Sequence, residues 1–135
     1  MLLEIDHHSG VPIYRQVIEQ IRRQIMTEGL KEGDQLETVR DLAARLKVNP
    51  MTISKAYSFL EVEGLVERKR GIGLFVAELT KDRHENIKDQ LLNSIVNKAA
   101  ITAIQLGLSE DEAIASLKKH YRQYHSRSEV QRRQK

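Results

Sequence analysis

Residues Glu37 to Val76 contain the patterns on which the fold prediction depends, and they read ETVRDLAARLKVNPMTISKAYSFLEVEGLVERKRGIGLFV. Its first part places apolar residues at i, i+3, i+4 and i+7, a spacing that puts them on one face of a helix. These residues are Val39, Leu42, Ala43 and Leu46. Thr38 is suited to cap this helix, with Asp41 completing a partial capping box. The pattern therefore predicts a short amphipathic helix that begins after Thr38.

A second helix pattern follows after a short turn made of Lys47, Val48 and Asn49. It repeats the apolar spacing with Ile53, Ala56, Tyr57 and Leu60. Asn49 is a good N-cap, and Pro50 suits the first helical position because its missing N–H would be unpaired there anyway. Lys47 takes the place that glycine often holds in such turns, and Gly64 supplies a left-handed residue to end the helix. A connection this short forces a sharp crossing, which is helix-turn-helix geometry.

A small basic hairpin is predicted next, with strands over 65–69 and 74–77 and a turn over 70–73. Arg68, Lys69 and Arg70 cluster at its tip. Gly71 and Gly73 let the backbone approach a phosphate or a groove closely. Taken singly, these pieces fit an ordinary helical hairpin with solvated charges. Their order agrees with one fold, a helix-turn-helix with a wing, and that fold points to DNA.

Seven short motifs in this half of the chain occur in a characteristic order. They are Pro12-Ile-Tyr-Arg-Gln-Val17, Gly33-Asp-Gln-Leu36, Val39-Arg-Asp-Leu-Ala43, Val48-Asn-Pro-Met-Thr-Ile53, Lys55-Ala-Tyr57, Leu60-Glu-Val-Glu-Gly-Leu-Val66, and Arg70-Gly-Ile-Gly73 with Phe75-Val76. Through these motifs the segment resembles the GntR family of bacterial winged-helix transcription regulators. The Val-Asn-Pro and Lys-Ala-Tyr variants, with a short tail, resemble its YtrA subfamily. The resemblance implies a DNA-binding repressor, often of its own operon and commonly of one that carries a membrane transporter.

Two positions depart from the family pattern. Leu36-Glu37-Thr38 replaces the usual Leu-Pro-Ser, so that Glu37 puts a negative charge near the expected DNA face. In the wing, Leu74 replaces the usual threonine, which removes a hydroxyl near the backbone. Neither change disturbs the predicted fold.

The residues predicted to contact DNA fall into two groups. At about 100° per residue, the side chains of Met51, Ser54, Lys55 and Ser58 point away from the buried stripe of the second helix. A recognition helix reads base edges near its N-terminus. We therefore expect groove contacts from Met51, Thr52, Ser54 and Lys55. We expect phosphate or minor-groove contacts from Arg40, Arg68, Lys69, Arg70 and Gly71.

The region before the helix-turn-helix is predicted to hold a strand and a helix. Leu2 to Ile5 resembles a lead-in strand, and a helix is expected from Pro12 to Glu28. Asp6-His7-His8 suggests a metal site, but a lone triplet of this kind is more often an exposed turn. Residues 31–35 form a loop that delivers Leu36 to the core.

The C-terminal part is predicted to form two helices. The first runs from Asp82 to about Leu106, where Gly107 breaks it, and Ser109 with Glu112 forms a capping box for a second helix to about Tyr124. Apolar residues recur over too broad a stripe for packing on one surface. They include Ile87, Leu91, Leu92, Ile95, Val96, Ala99, Ile101, Ile104, Ile114, Leu117 and Tyr121. They pack either on the winged helix or on a second copy, and the resemblance implies a homodimer.

The composition of the chain restricts the classes of function that it can have. The chain of 135 residues is 40% hydrophobic, has no cysteine, and shows no signal peptide or membrane span. We therefore expect a cytoplasmic protein without disulfides. Residues 1–80 hold 11 Lys and Arg against 12 Asp and Glu, and residues 81–135 hold 11 against 7. The predicted DNA-binding part is thus not basic overall, and it binds DNA only if its cations lie on one face.

The sequence therefore predicts a mainly α fold with a small β wing. We expect a winged helix-turn-helix over 1–80, a helical dimerisation region over 81–125, and a basic tail without structure over 126–135. No catalytic, metal-binding or cofactor-binding set is apparent, so we expect no enzyme activity. The expected partners are operator DNA and a second copy of the chain, and any small-molecule effector would bind at the dimer interface. The alternative is a winged-helix protein-interaction module without specific DNA binding.

Overall fold

The computed structural model describes residues 1–133, with side chains to Arg127. The chain divides into two compact units, Met1–Lys88 and Asp89–Lys135. The sequence predicts a boundary between residues 80 and 81, whereas the units divide inside a helix. Ile87 is 4% exposed and belongs to the first unit, so the first turns of that helix are part of the N-terminal core.

The first unit is a winged helix built around three helices and a hairpin. Its elements are α1 (Ile13–Met26), α2 (Val39–Leu46), α3 (Pro50–Val62), β1 (Val66–Lys69), β2 (Gly73–Val76) and the start of α4 (Lys81–Gln105). Helix α3 packs against both α1 and α2. The largest fully buried side chains come from all three helices and from the approach to the wing: Val17, Ile21, Leu42, Ile53, Leu60, Leu65 and Val66. The prediction of a mainly α fold with a β wing is confirmed.

The ends of α2 and α3 are set by the residues that the sequence indicated. The Thr38 side chain accepts a hydrogen bond from the Asp41 N–H at 3.1 Å, and the Asn49 side chain accepts one from the Met51 N–H at 2.9 Å. Lys47 ends α2 with a φ of +57°, and Gly64 follows α3 with a φ of +77°. After each left-handed residue the next amide bonds back to the helix: the Val48 N–H donates to the Ala43 carbonyl and the Leu65 N–H to the Leu60 carbonyl, both at 3.0 Å. The first bond fixes the turn between α2 and α3, and the second fixes the exit from α3.

The wing is a two-stranded antiparallel sheet whose outer edge is covered. Val66 pairs with Val76 at its base, and Lys69 pairs with Gly73 at its tip. The loop before α2 runs along β2, where the Leu36 N–H donates to the Leu74 carbonyl at 2.9 Å and the Val76 N–H to the Asp34 carbonyl at 2.8 Å. Leu36 itself is buried, as the sequence predicted. This backbone pairing attaches the wing firmly to the helices.

The predicted strand over Leu2–Ile5 is wrong. This segment is extended but belongs to no sheet, because glutamine side chains of α1 satisfy its backbone instead of a neighbouring strand. The Gln20 side chain accepts from the Glu4 N–H and donates to the Glu4 carbonyl, at 2.9 and 2.6 Å. Gln16 accepts from the Asp6 N–H in the same way, at 2.9 Å. Gln16 and Gln20 are one helical turn apart, so both face the segment.

A cluster centred on Glu63, the C-cap residue that follows α3, joins three helices of the first unit. The Glu63 carboxylate forms an ion pair with Arg22 of α1. The Glu63 backbone carbonyl accepts a hydrogen bond from Arg83 of α4 at 2.9 Å. These contacts hold the C-terminal end of α3 against both α1 and the first turn of α4.

The second unit consists of the rest of α4 together with the whole of α5 (Glu110–Arg133). Gly107, with a φ of +74°, separates them, and the predicted capping box is present because the Glu112 N–H donates to the Ser109 hydroxyl at 3.1 Å. The prediction of an unstructured tail from residue 126 is wrong as far as residue 133, since α5 continues without a Pro or Gly to stop it. Residues 134 and 135 lie outside the described residues.

Many large apolar side chains of this second unit are exposed in the single chain. They are Leu92, Ile95, Val96, Ile101, Ile104, Leu106, Leu108, Ile114, Leu117, Tyr121 and Tyr124. Ile104 is 75% exposed and Tyr121 is 67% exposed. Exposed apolar surface of this extent is typical of a site of interaction with another chain.

Candidate nucleic-acid interface

One face of α3 carries the side chains predicted to enter a groove. Met51, Ser54 and Lys55 are exposed near the N-terminal end of the helix, and Thr52 is half-buried. The opposite face holds Ile53, which is fully buried. Because the Asn49 cap and Pro50 start the helix just before these residues, their positions are fixed by local sequence.

The wing brings its three predicted cations together but gives each a different environment. Arg68 forms an ion pair with Glu61 of α3, with 3.2 Å between the Nε and Oε2 atoms. The Lys69 Nζ lies 4.4 Å from the centroid of the Phe75 ring. Arg70 is exposed and forms no ion pair with any residue in 1–127, next to Gly71 with a φ of +79°. Arg70 is therefore the cation of this tip that is already available to an anion.

The negative charge of Glu37 is compensated inside the protein. The Arg45 guanidinium donates to both carboxylate oxygens, at 2.7 and 3.2 Å, and this hydrogen bonding raises the pKa of Arg45. Arg40, five residues before Arg45 on α2, is exposed and unpaired among the described residues. The departure from the family pattern at Glu37 thus creates an ion pair at this face and leaves Arg40 available.

Tyr57 ties the same region to α3. Its hydroxyl donates to the Glu37 backbone carbonyl at 2.8 Å. Burial raises the pKa of the Tyr57 hydroxyl well above its usual range, and the nearby Glu37 carboxylate acts in the same direction. The hydroxyl therefore stays protonated and keeps its bond to the entry of α2 at all physiological pH values.

An aromatic cluster that the sequence did not predict lies beside the recognition face. The Tyr14 ring of α1 stacks on Phe59 of α3, with centroids 5.9 Å apart, and the Lys55 Nζ lies 4.0 Å from the centroid of the Tyr14 ring. Phe59 is 46% exposed. Tyr14 belongs to one of the motifs quoted above, but no local periodicity indicates that it meets Lys55.

Residues 6–8 form a turn stabilised by their own atoms. The Asp6 carboxylate accepts from the His8 N–H at 2.9 Å, which is the bond of an Asx turn. Within the described part of the chain, no group of three or more His, Asp or Glu residues could hold a metal ion. Asp6 therefore has a structural role in the turn.

Comparisons with known proteins agree with this geometry. Residues 13–76 match the model of the bacterial regulatory proteins of the gntR family. The HTH-type transcriptional repressor YtrA of Bacillus subtilis is 39% identical over 101 residues, which cover 71% of this chain and 78% of that protein. This chain belongs to the GntR family.

Solved structures of GntR regulators extend the likeness beyond the winged helix. A GntR family transcriptional regulator from Listeria monocytogenes has a TM-score of 0.75 at 33% identity, covering 85% of this chain and 98% of that one. YtrA from Sulfolobus acidocaldarius has a TM-score of 0.59 at 32% identity, covering 75% of this chain and 99% of that one. The resemblance to YtrA-type GntR regulators is thus confirmed. The GntR proteins matched here are transcription regulators with a DNA-binding helix-turn-helix, not enzymes.

Among the described residues, no helix is both long enough and apolar enough to cross a bilayer.

Proposed function

We propose that this GntR protein is a homodimeric transcriptional repressor that binds a two-fold symmetric operator. The observation that carries the proposal is the arrangement of one face of the winged helix. The exposed N-terminal half of α3 and the Arg70 tip of the wing are the two elements with which such folds enter a major groove and follow the adjacent backbone. Both elements extend from the buried core of the first unit, which contains Ile53 and Leu60 of α3 and Val66 of β1.

The charge distribution supports DNA as the partner. Residues 1–80 carry slightly more acidic than basic residues, so non-specific attraction by net charge is weak. Glu37 and Glu61 near the recognition face are each paired with an arginine, at 2.7 and 3.2 Å. Neutralising these carboxylates lowers the repulsion of phosphates while Arg40 and Arg70 remain available.

Each predicted residue has a role in this proposal. Met51, Thr52, Ser54 and Lys55 contact base edges, where hydroxyl and ammonium groups find hydrogen-bonding partners and a methionine packs against a thymine methyl group. Arg40, Arg68, Lys69, Arg70 and Gly71 position the protein on phosphates or in the minor groove. Arg68 must exchange Glu61 for a phosphate, so it contributes less than Arg70.

The exposed apolar surface of the second unit supports a homodimer. Its side chains lie on both α4 and α5, for example Leu92, Ile95 and Leu117. A two-fold dimer would present two α3 helices about 34–36 Å apart, or a multiple of that distance, to a palindromic site. Repression is proposed because the Bacillus subtilis relative YtrA is a transcriptional repressor. The repressed genes would be those of the protein's own operon, including one for a transporter. The protein would act in the cytoplasm.

The experiment is a fluorescence anisotropy titration of the full chain with DNA from upstream of its own gene. We expect tight binding at two protomers per site that unlabelled random DNA does not displace. Equal affinity for the upstream and random duplexes at every salt concentration would contradict the proposal. That result would favour a winged-helix module that binds another protein.

A further inference from the structure

Lys55 is held against an aromatic ring that belongs to another helix. Its Nζ lies 4.0 Å from the centroid of the ring of Tyr14. Tyr14 is the second residue of α1. The Tyr14 ring is stacked on Phe59 at an interplanar angle of 19°. Lys55 and Phe59 are one turn apart on α3, so both side chains of α3 contact the same ring. We propose that Tyr14 is a positioning residue for DNA binding, which holds the Lys55 ammonium group in place before DNA arrives.

The Lys55 side chain has conformational freedom that binding to DNA would restrict. An exposed lysine on a helix has a long flexible stem, and fixing it in one direction costs conformational entropy when DNA binds. The negative face of the Tyr14 ring attracts the ammonium group and restricts the stem in the free protein. An ammonium group has three N–H donors, so contact with the ring on one side leaves donors for a base or a phosphate on the other.

The placement of the chain's few aromatic residues supports this role. There are only two phenylalanines, and each lies beside a lysine of the proposed DNA-binding face. Phe59 stacks on the Tyr14 ring that contacts Lys55. The centroid of the Phe75 ring lies 4.4 Å from the Lys69 Nζ. Phe59 is 46% exposed, so filling the core does not account for its size. The same device, a lysine over an aromatic ring, is thus present on both the recognition helix and the wing.

The inference rests on the proposed function, and its test separates the two. The probe is a duplex enriched by the wild-type protein from a randomised DNA pool, with a scrambled duplex as competitor. The variants are Tyr14→Leu, which removes the ring, and Tyr14→Phe, which keeps the ring and removes the hydroxyl. Both are also made in a Lys55→Met background, where the side chain stays long and unbranched, is one atom shorter, and loses its charge. Thermal unfolding of each variant shows whether the fold is kept.

The expected results follow from a role that acts through Lys55. Tyr14→Leu weakens binding to the enriched duplex by about three- to tenfold, the cost of ordering one long side chain on binding. Tyr14→Phe binds as the wild type does. In the Lys55→Met background, Tyr14→Leu has no further effect. The same loss in both backgrounds, or no loss in either, would overturn the inference while the proposed function stands. Absence of enrichment by the wild type would instead count against the proposed function.

A second measurement, NMR spectroscopy of the free protein, needs no DNA. A proton that lies over an aromatic ring resonates at higher field than in a free side chain. The ε-methylene protons of Lys55 should therefore show an upfield NMR shift in the wild type and in Tyr14→Phe. The ε-methylene protons of exposed Lys47 should show none. Random-coil shifts for Lys55 in the wild type would overturn the inference.

Discussion

Arg70 is the residue for which the proposed DNA contact is most directly measurable, because its guanidinium has no ion pair among residues 1–127. A cation that neutralises one phosphate contributes about 0.9 to the slope of log affinity against log salt. Arg70→Ala should therefore reduce that slope by about one unit per protomer that reaches DNA. The measurement is the anisotropy titration repeated over a series of salt concentrations.

The control for Arg70 is Arg23→Ala, which removes the same charge from an exposed position on α1. We expect its salt slope to equal that of the wild type. An equal reduction in both variants would mean that net charge, not a contact by the wing, sets the slope. An unchanged slope for Arg70→Ala would remove the wing tip from the interface.

Tyr57 gives a pH prediction at the scale of one residue. Its pKa is raised above the ordinary value of 10.0 in the folded protein, mainly by burial. The hydroxyl thus stabilises the fold fully below pH 10, and this stability is lost as the pH rises above the unfolded-state pKa. Tyr57→Phe should lower the free energy of unfolding by about 0.5–1.5 kcal/mol at pH 7, the net value of a hydrogen bond.

Urea unfolding of both proteins between pH 7 and pH 11 tests the sign. The stability advantage of the wild type over Tyr57→Phe should be constant up to about pH 10 and shrink above it. Taking the difference cancels the titration of the lysines and of the other tyrosines. An advantage that grows above pH 10 would show that the Tyr57 hydroxyl is ionised in the fold.

At the scale of elements, the turn between α2 and α3 contains a backbone conformation that lysine does not favour. Lys47 has a φ of +57°. The left-handed conformation costs a residue with a Cβ about 1–2 kcal/mol, and glycine avoids part of this cost because it has no Cβ. Lys47→Gly should therefore raise the free energy of unfolding by about 0.5–1 kcal/mol. Chemical denaturation measures the change.

Arg45→Gly is the contrasting change, since Arg45 lies two residues earlier in the last turn of α2. It should lower stability, because glycine is unfavourable inside a helix and the ion pair to Glu37 is lost. A destabilising effect of Lys47→Gly would mean that the lysine side chain has a structural role at this turn that outweighs its backbone cost.

The elements also show what local sequence predicts and what it does not. Caps and turns such as Thr38, Asn49 and Gly64 were predictable because each acts on amides only a few residues away. The hydrogen bonds of Gln20 to Glu4 and of Gln16 to Asp6 were not predictable, because these side chains are distant in sequence and take the place of a neighbouring strand. The contact of Tyr14 with Lys55 and the ion pair of Glu37 with Arg45 likewise depend on tertiary packing.

At the scale of the whole molecule, the exposed apolar surface of the second unit is expected to mediate the dimer. Ile95 is 58% exposed in the single chain. Ile95→Glu would place a charge in a dimer interface, which costs several kcal/mol when the charge is unpaired. It should shift the protein towards the monomer and weaken operator binding. Analytical ultracentrifugation and the DNA titration, performed side by side, measure both effects.

Asn97→Glu is the matched control, because it adds the same charge about 200° around α4 from Ile95. It should leave the dimer intact. A dimer that survives Ile95→Glu unchanged would show that the partner binds elsewhere on the chain. In that case the two recognition helices would have a spacing set by another contact.

Hydroxyl-radical footprinting of the full chain on the DNA upstream of its own gene would show whether a dimer binds a two-fold symmetric operator there. We expect two protected segments, related by a two-fold axis, with centres about 34–36 Å apart or a multiple of that. Each segment would include a major groove and the flanking backbone reached by the wing. A single protected segment would contradict the dimeric arrangement, and uniform cleavage in the presence of competitor DNA would contradict specific DNA recognition itself.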